Sequence, residues 1–133
     1  MDSILFLCTG NSCRSQMAEG WLKHFSDCRV ASAGIEAHGL NETAVTVMRE
    51  VGVDISTQTS NTLEEVDIGQ FDIVITVCGD ALDRCPVLPS TIKKVHWPLQ
   101  DPATFVGHKT ARLDVFRKTR DDIKARVLNL LDL

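Results

Sequence analysis

The first apolar residues of the chain come as an unbroken run. Residues 3–8, SILFLC, show no polar alternation, which predicts a short strand buried on both faces. From Ser15 to Phe25 the period changes: Met17, Ala18, Trp21, Leu22 and Phe25 recur at three- and four-residue steps, the spacing of a helix with one apolar face. "CRVASAG" (28–34) predicts a second strand closed by Gly34. Asn41 is placed to cap a helix over 42–51, with Ala44, Val45, Val47, Met48 and Val51 on its apolar face and Gly52 as its stop. Thr62 and Glu65 have the spacing of a capping box, so a short helix starts at Thr62. "FDIVITV" (71–77), β-branched and ending at Cys78, is the clearest strand, and "IKKVHW" (92–97) adds a fourth. Pro98 and the Asp101–Pro102 pair impose a loop. From about Thr110 to Leu130, Leu113, Phe116, Ile123, Val127 and Leu130 fall on one helical stripe with charges between them.

Apolar strands alternating with helices predict a parallel sheet covered on both faces. The 133 residues contain no repeat, linker or low-complexity stretch, so residues 1–133 read as a single α/β domain. A hydrophobic fraction of 44% and a charged fraction of 24% leave that picture unchanged. The net charge of -4 argues against a nucleic-acid partner. No apolar run reaches the roughly 18–20 residues that span a bilayer, and no basic-then-apolar leader precedes the first strand. The expectation is a cytoplasmic monomer.

Cysteines change the picture more. There are five, at 8, 13, 28, 78 and 85; in a reducing compartment they are buried, metal-bound or catalytic rather than bridged. The bland reading is five small buried hydrophobes. Cys8 and Cys78 depart from it, because each closes a predicted strand, and ligands of open parallel sheets bind at strand carboxyl ends. Residues 8–14 carry the chain from strand to helix N-terminus. Gly10 and Asn11 readily take the positive backbone angles such a curl needs. The N–H groups of Thr9, Gly10, Asn11, Ser12 and Cys13, with the helix dipole, then form a cradle for an anion. Arg14 offers a planar fork for two oxygens of a tetrahedral oxyanion. Cys8 lies beneath as a thiolate nucleophile, with Ser15 placed to donate a hydrogen bond to its sulfur.

"CTGNSCRSQMAEGW" (8–21) resembles the active-site loop of the low-molecular-weight protein tyrosine phosphatase superfamily and, within it, of the thioredoxin-coupled arsenate reductases. The likeness runs on through "SAGIEAHG" (32–39), "VGVDIS" (51–56), "VCGDALDRCP" (77–86) and "HWPLQDPA" (96–103). It implies a four-stranded parallel sheet flanked by helices on both faces, and a general acid at Asp101. Reducing arsenate to arsenite takes two electrons, which a phosphatase pocket lacks and two further thiols supply. Cys78 is then the thiol that attacks Cys8 sulfur, and Cys85 the one that relieves Cys78, with "GDALDR" between them as a rearranging segment ended by Pro86. The resemblance names thioredoxin as the external reductant.

Other readings compete. A phosphomonoesterase needs only Cys8, Arg14 and Asp101. The chain has no tyrosine to wall a phosphotyrosine ring, and Phe105 is the nearest substitute. A non-catalytic oxyanion-binding module is a third reading. Zinc on Cys8, Cys13, Cys78 and Cys85 lacks the usual two-residue spacings. Cys13 reads as structural and Cys28 as a bystander. The resemblance also implies a potassium ion on Asn11, Glu19, Ser32 and Thr59, although Asn61 stands where potassium-binding relatives carry an acid. His24, His38, His96 and His108 read as structural or surface residues, Trp21 and Trp97 as packing. Arg112, Arg117, Lys118 and Arg120, interleaved with acids, read as a solvated face.

Overall fold

A computed structural model describes residues 3–79, 81, 85 and 87–132. The elements are β1 (Ile4–Cys8), α1 (Arg14–Phe25), β2 (Val30–Gly34), α2 (Glu42–Glu50), β3 (Ile73–Thr76), β4 (Lys93–His96) and α3 (Lys109–Leu130). All strands run parallel, in the order β2-β1-β3-β4. Every residue of β1 is buried, so both faces of the sheet are covered at its centre. At the edge, β4 exposes Lys93 and Lys94, charges that discourage pairing with another chain. Helix α1 lies against β1 and β2 and touches both α2 and α3. Trp21 and Trp97 are both core residues. No helix among the described residues is long and apolar enough to cross a membrane.

The strands and helices lie where the apolar pattern places them, with ends trimmed by a residue or two. Cys28 falls outside β2, its N–H held by Ser26 Oγ at 3.0 Å. The segment at Thr62 is a single 3-10 turn, Leu63–Glu65, with its capping box formed. Residues 102–104, expected as loop, also wind one such turn, because Asp101 accepts the Ala103 N–H and Pro102 needs no partner for its missing one. Of the segment expected to rearrange, Asp80, Leu82, Asp83 and Arg84, and Pro86 after it, lie outside the described residues.

One expectation is corrected. Arg120 is 8% exposed rather than part of a solvated face. Its Nη1 donates to Val47 O at 2.9 Å, a carbonyl in the last turn of α2 that lacks a helical partner, and pairs with Glu50 at 3.0 Å. The guanidinium closes the C-terminal end of α2, which is why a charged side chain is buried there.

The order β2-β1-β3-β4 sends the chain from β1 to one side and later back to the other. The carboxyl ends of β1 and β3 therefore flank a crevice, the place where such sheets bind ligands. Cys8 ends β1, and Cys78 follows β3 by two residues. The Val77 N–H donates to Leu7 O at 2.8 Å, which brings the two strand exits level.

Candidate active site

After Cys8 the chain curls through residues 9–13 into α1. Asn11 takes the left-handed conformation, with φ 47°. Three partners hold the curl. The chain leaving β2 runs beside it, donating from Ile35 N to Cys8 O at 3.2 Å, Glu36 N to Thr9 O at 2.9 Å and His38 N to Gly10 O at 2.9 Å. Gly34 permits that approach, since a Cβ there would lie 2.4 Å from Glu36 O and 2.7 Å from Asn11 N. Ser60 Oγ donates to Asn11 O at 2.8 Å, and Asn61 N to Asn11 Oδ1 at 2.7 Å.

The curl encloses a cavity of about 140 Å³ lined by Cys8, Thr9, Gly10, Ser12, Cys13, Arg14, His38, Asp101 and Ala103. Cys8 Sγ lies 2.8 Å from Ser15 Oγ and accepts the Asn11 N–H at 3.1 Å. Asn11 and Ser15 themselves lie behind the cavity, fully buried. No side chain caps the start of α1 at Cys13, which leaves that end of the helix dipole to the cavity. Arg14 donates from Nη1 to Leu99 O at 3.0 Å, and its Nη2 faces Asp101 Oδ2 at 3.5 Å. Its Nε is buried without a hydrogen-bond partner among the described residues. A buried, unpaired guanidinium N–H at a cavity wall is a donor waiting for an acceptor.

Asp101 reaches the cavity because its own turn anchors it: Oδ1 accepts the Ala103 N–H at 3.0 Å. The Cys13 thiol donates to the same oxygen at 3.5 Å. Burial, and then the negative charge of Asp101, push Cys13 up to about 12. At neutral pH it is a thiol. Cys78 Sγ lies 3.1 Å from Thr9 Oγ1, on the loop that carries Cys8, and accepts the Ala81 N–H at 3.3 Å. Cys85 is half-buried; burial raises its titration and Lys94 partly offsets that.

The structure thus brings Cys8, Thr9, Gly10, Ser12, Cys13, Arg14 and Asp101 to one cavity, with Cys78 beside Thr9. Phe105 is not on that cavity's wall; its ring packs over Gly107 and borders a separate hollow beyond Asp101. His38 is a surface residue, as expected, with a place at the cavity that its sequence position did not announce. Half-exposed and paired with Glu36, it lines the cavity and fills the space where a Gly10 Cβ would stand. Gly34 is likewise a site residue that sequence reasoning treated only as the end of a strand. The one signal for both was "SAGIEAHG", whose role is to run beside the loop.

A parallel sheet of this order, with a cysteine-to-arginine loop at its crevice, defines the phosphatase-like class of α/β domains. Residues 3–133 match the family model for low molecular weight phosphotyrosine protein phosphatase, and the chain belongs to that family. Among curated relatives, the arsenate reductase of Bacillus subtilis (strain 168) is 51% identical over 93% of this chain and 91% of that protein. A solved structure described as an arsenate reductase in oxidized state superposes with a TM-score of 0.86 at 36% identity, covering 99% of this chain and 98% of that one. The thioredoxin-dependent arsenate reductase of Corynebacterium glutamicum superposes at 0.78 with 28% identity, covering 99% of this chain and 61% of that one.

Proposed function

We propose that this protein reduces arsenate to arsenite through three thiols and returns to its dithiol state through thioredoxin. The observation that carries the reading is the contact between Cys78 Sγ and Thr9 Oγ1 at 3.1 Å, a second sulfur held against the loop that carries the first. Arsenate enters the cradle, met by Arg14 Nε and the backbone donors. The Cys8 thiolate attacks arsenic, an S–As bond forms, and an arsenate oxygen leaves as water with a proton from Asp101. Cys78 thiolate then attacks Cys8 sulfur. The S–S bond forms, the S–As bond breaks, and its electron pair stays on arsenic, which falls from the +5 to the +3 state. Two thiols have become one disulfide, so the electrons balance. Cys85 next attacks Cys78, a new disulfide joins them, and Cys8 is free again. An external dithiol reduces the Cys78–Cys85 pair. Thioredoxin is that dithiol by analogy with the Corynebacterium glutamicum relative. Such a cycle belongs in a reducing compartment, so we place the protein in the cytoplasm.

Phosphomonoester hydrolysis uses the same Cys8, Arg14 and Asp101, and a weak activity of that kind accompanies this reading. The small cavity, with Phe105 turned elsewhere, favours a bare oxyanion over a phosphotyrosine ring. We build no potassium ion into the site. The single carboxylate of the proposed donor set, Glu19, already accepts from Ser32 Oγ at 2.6 Å and pairs with the Lys23 ammonium. The Asn11 side-chain oxygen and the Thr59 carbonyl are likewise occupied by protein donors. For zinc, no three His, Cys, Asp or Glu side chains among the described residues are placed to hold one metal ion together.

Arsenite production in the presence of thioredoxin and its reductase tests the reading. The unsubstituted protein turns over many times, Cys8→Ser makes no arsenite, and Cys85→Ser stops at a single equivalent. Continued cycling by Cys85→Ser would overturn the three-thiol relay.

A further inference from the structure

Behind the loop, four side chains form a chain of hydrogen bonds whose direction the backbone dictates. Gln16, fully buried on α1, turns its amide nitrogen to Thr59 O at 2.9 Å, Asn11 O at 3.1 Å and Asn11 Oδ1 at 3.2 Å. Main-chain carbonyls only accept, so the nitrogen must face them and the amide oxygen must point away. There Gln58 Nε2 donates to it at 2.8 Å. Asn11 is pinned by the same logic. The Asn61 N–H only donates, and it reaches Asn11 Oδ1 at 2.7 Å. Asn11 Nδ2 is therefore the end that donates to Ser15 Oγ, at 2.8 Å. Toward Cys8 Sγ, 2.8 Å away, the Ser15 hydroxyl is the donor when that sulfur is a thiolate, which can only accept.

We propose that Gln16 is a positioning residue for Cys8: clamped by Thr59 and Gln58, its carboxamide locks Asn11 so that Ser15 presents its hydrogen to the sulfur. The proposal rests on the reading of Cys8 as the nucleophile. A hydroxyl donor aimed at sulfur stabilises the thiolate over the thiol. Gln16 also braces Asn11 O, and with it the left-handed turn at Asn11. The polar face of α1 is thereby the back wall of the reaction site, with Ser15 and Gln16 off the cavity's own lining.

The test follows Cys8 alkylation by iodoacetamide across pH, read by mass on the Cys8 peptide, in a Cys78→Ser, Cys85→Ser background. The charged and titrating groups facing the sulfur, Arg14, Asp101, Cys13 and His38, are the same in every variant compared. In Gln16→Met, alkylation at neutral pH slows about tenfold and the profile moves to higher pH with its plateau kept. Gln58→Met, which removes only the outer clamp, moves it the same way by less. Superimposable profiles with a lowered melting temperature would reduce Gln16 to a packing residue and overturn the proposal. Should Gln16→Met not fold, an unmoved Gln58→Met profile overturns it. Arsenite production surviving Cys8→Ser would instead sink the reading beneath, a result the alkylation profile does not depend on.

Discussion

Helices α1 and α3 pack against each other, yet α1 buries nine consecutive residues, Arg14 to Leu22, while α3 buries four of its 22, Phe116, Arg120, Ile123 and Val127. In α3 the division follows the apolar stripe, and the one buried charge caps a neighbouring helix. In α1 there is no solvated face from Arg14 to Leu22, about two and a half turns. Ser15, Gln16 and Glu19 are as hidden as Met17, Ala18 and Leu22. They are buried because the loop, Ser32 and the Thr59 region present polar groups that need partners. A helix that serves a site is polar inside, and one that closes a core is polar outside.

That contrast is open to breakage, and the largest effect is expected where α3 behaves like α1. Arg120→Met keeps the apolar stem but leaves Val47 O buried without a donor, which costs about 1–3 kcal/mol. Urea unfolding checks it, and an unchanged midpoint would mean that the cap is idle. Gly20→Ala comes next. An exposed helical glycine gains up to about 1 kcal/mol from alanine. Here the new Cβ lies 2.5 Å from Ile55 Cγ2, a buried side chain, so overpacking prevails and the protein is destabilised by roughly 1–2 kcal/mol. A stabilised variant would show that the α1 face has room to give.

A smaller effect concerns Cys13. Folding raises it from 9.0 to about 12, so the folded state keeps a proton that the unfolded chain sheds above pH 9.0. Its contribution is complete below pH 9.0 and is lost as pH rises toward about 12. Cys13→Ala flattens the decline in stability over that window, measured by chemical unfolding at stepped pH. An unaltered decline would assign it to other groups. Smallest of all is Arg117→Ala, which removes an exposed network with Glu50 and Asp114. No displacement of the melting curve beyond error is expected, and a clear loss would make α3's outer face more than solvated charge.

The fold was legible because its signals are local. "SILFLC" and "FDIVITV" are apolar without alternation, and a strand so composed is stable only inside a covered parallel sheet. Of the site, Cys8 and Arg14 stood out through residue types with scarce alternative uses at their positions, and Asp101 through the resemblance of its Asp-Pro loop. His38, Gly34 and Gln16 did not. Nothing in a lone histidine, a strand-closing glycine or a helical glutamine marks it, since each matters only through a neighbour distant in sequence. Arg120 was misread for the same reason, because the carbonyl it caps lies 73 residues earlier.

From its sequence alone this chain is committed to alternating strands and helices, to a parallel sheet, and to a thiol and a guanidinium on one strand-to-helix loop. Periodicity and residue chemistry act over a few positions, so they survive without coordinates. Which groups turn toward that loop was decided only when the sheet formed. Parallel pairing set β1 beside β2 and β3, and the packing around that sheet put Cys78 against Thr9, His38 at the cavity and Thr59 against Gln16. Hydrogen bonds reach about 3 Å, and only tertiary packing brings residues so far apart in the chain within that range.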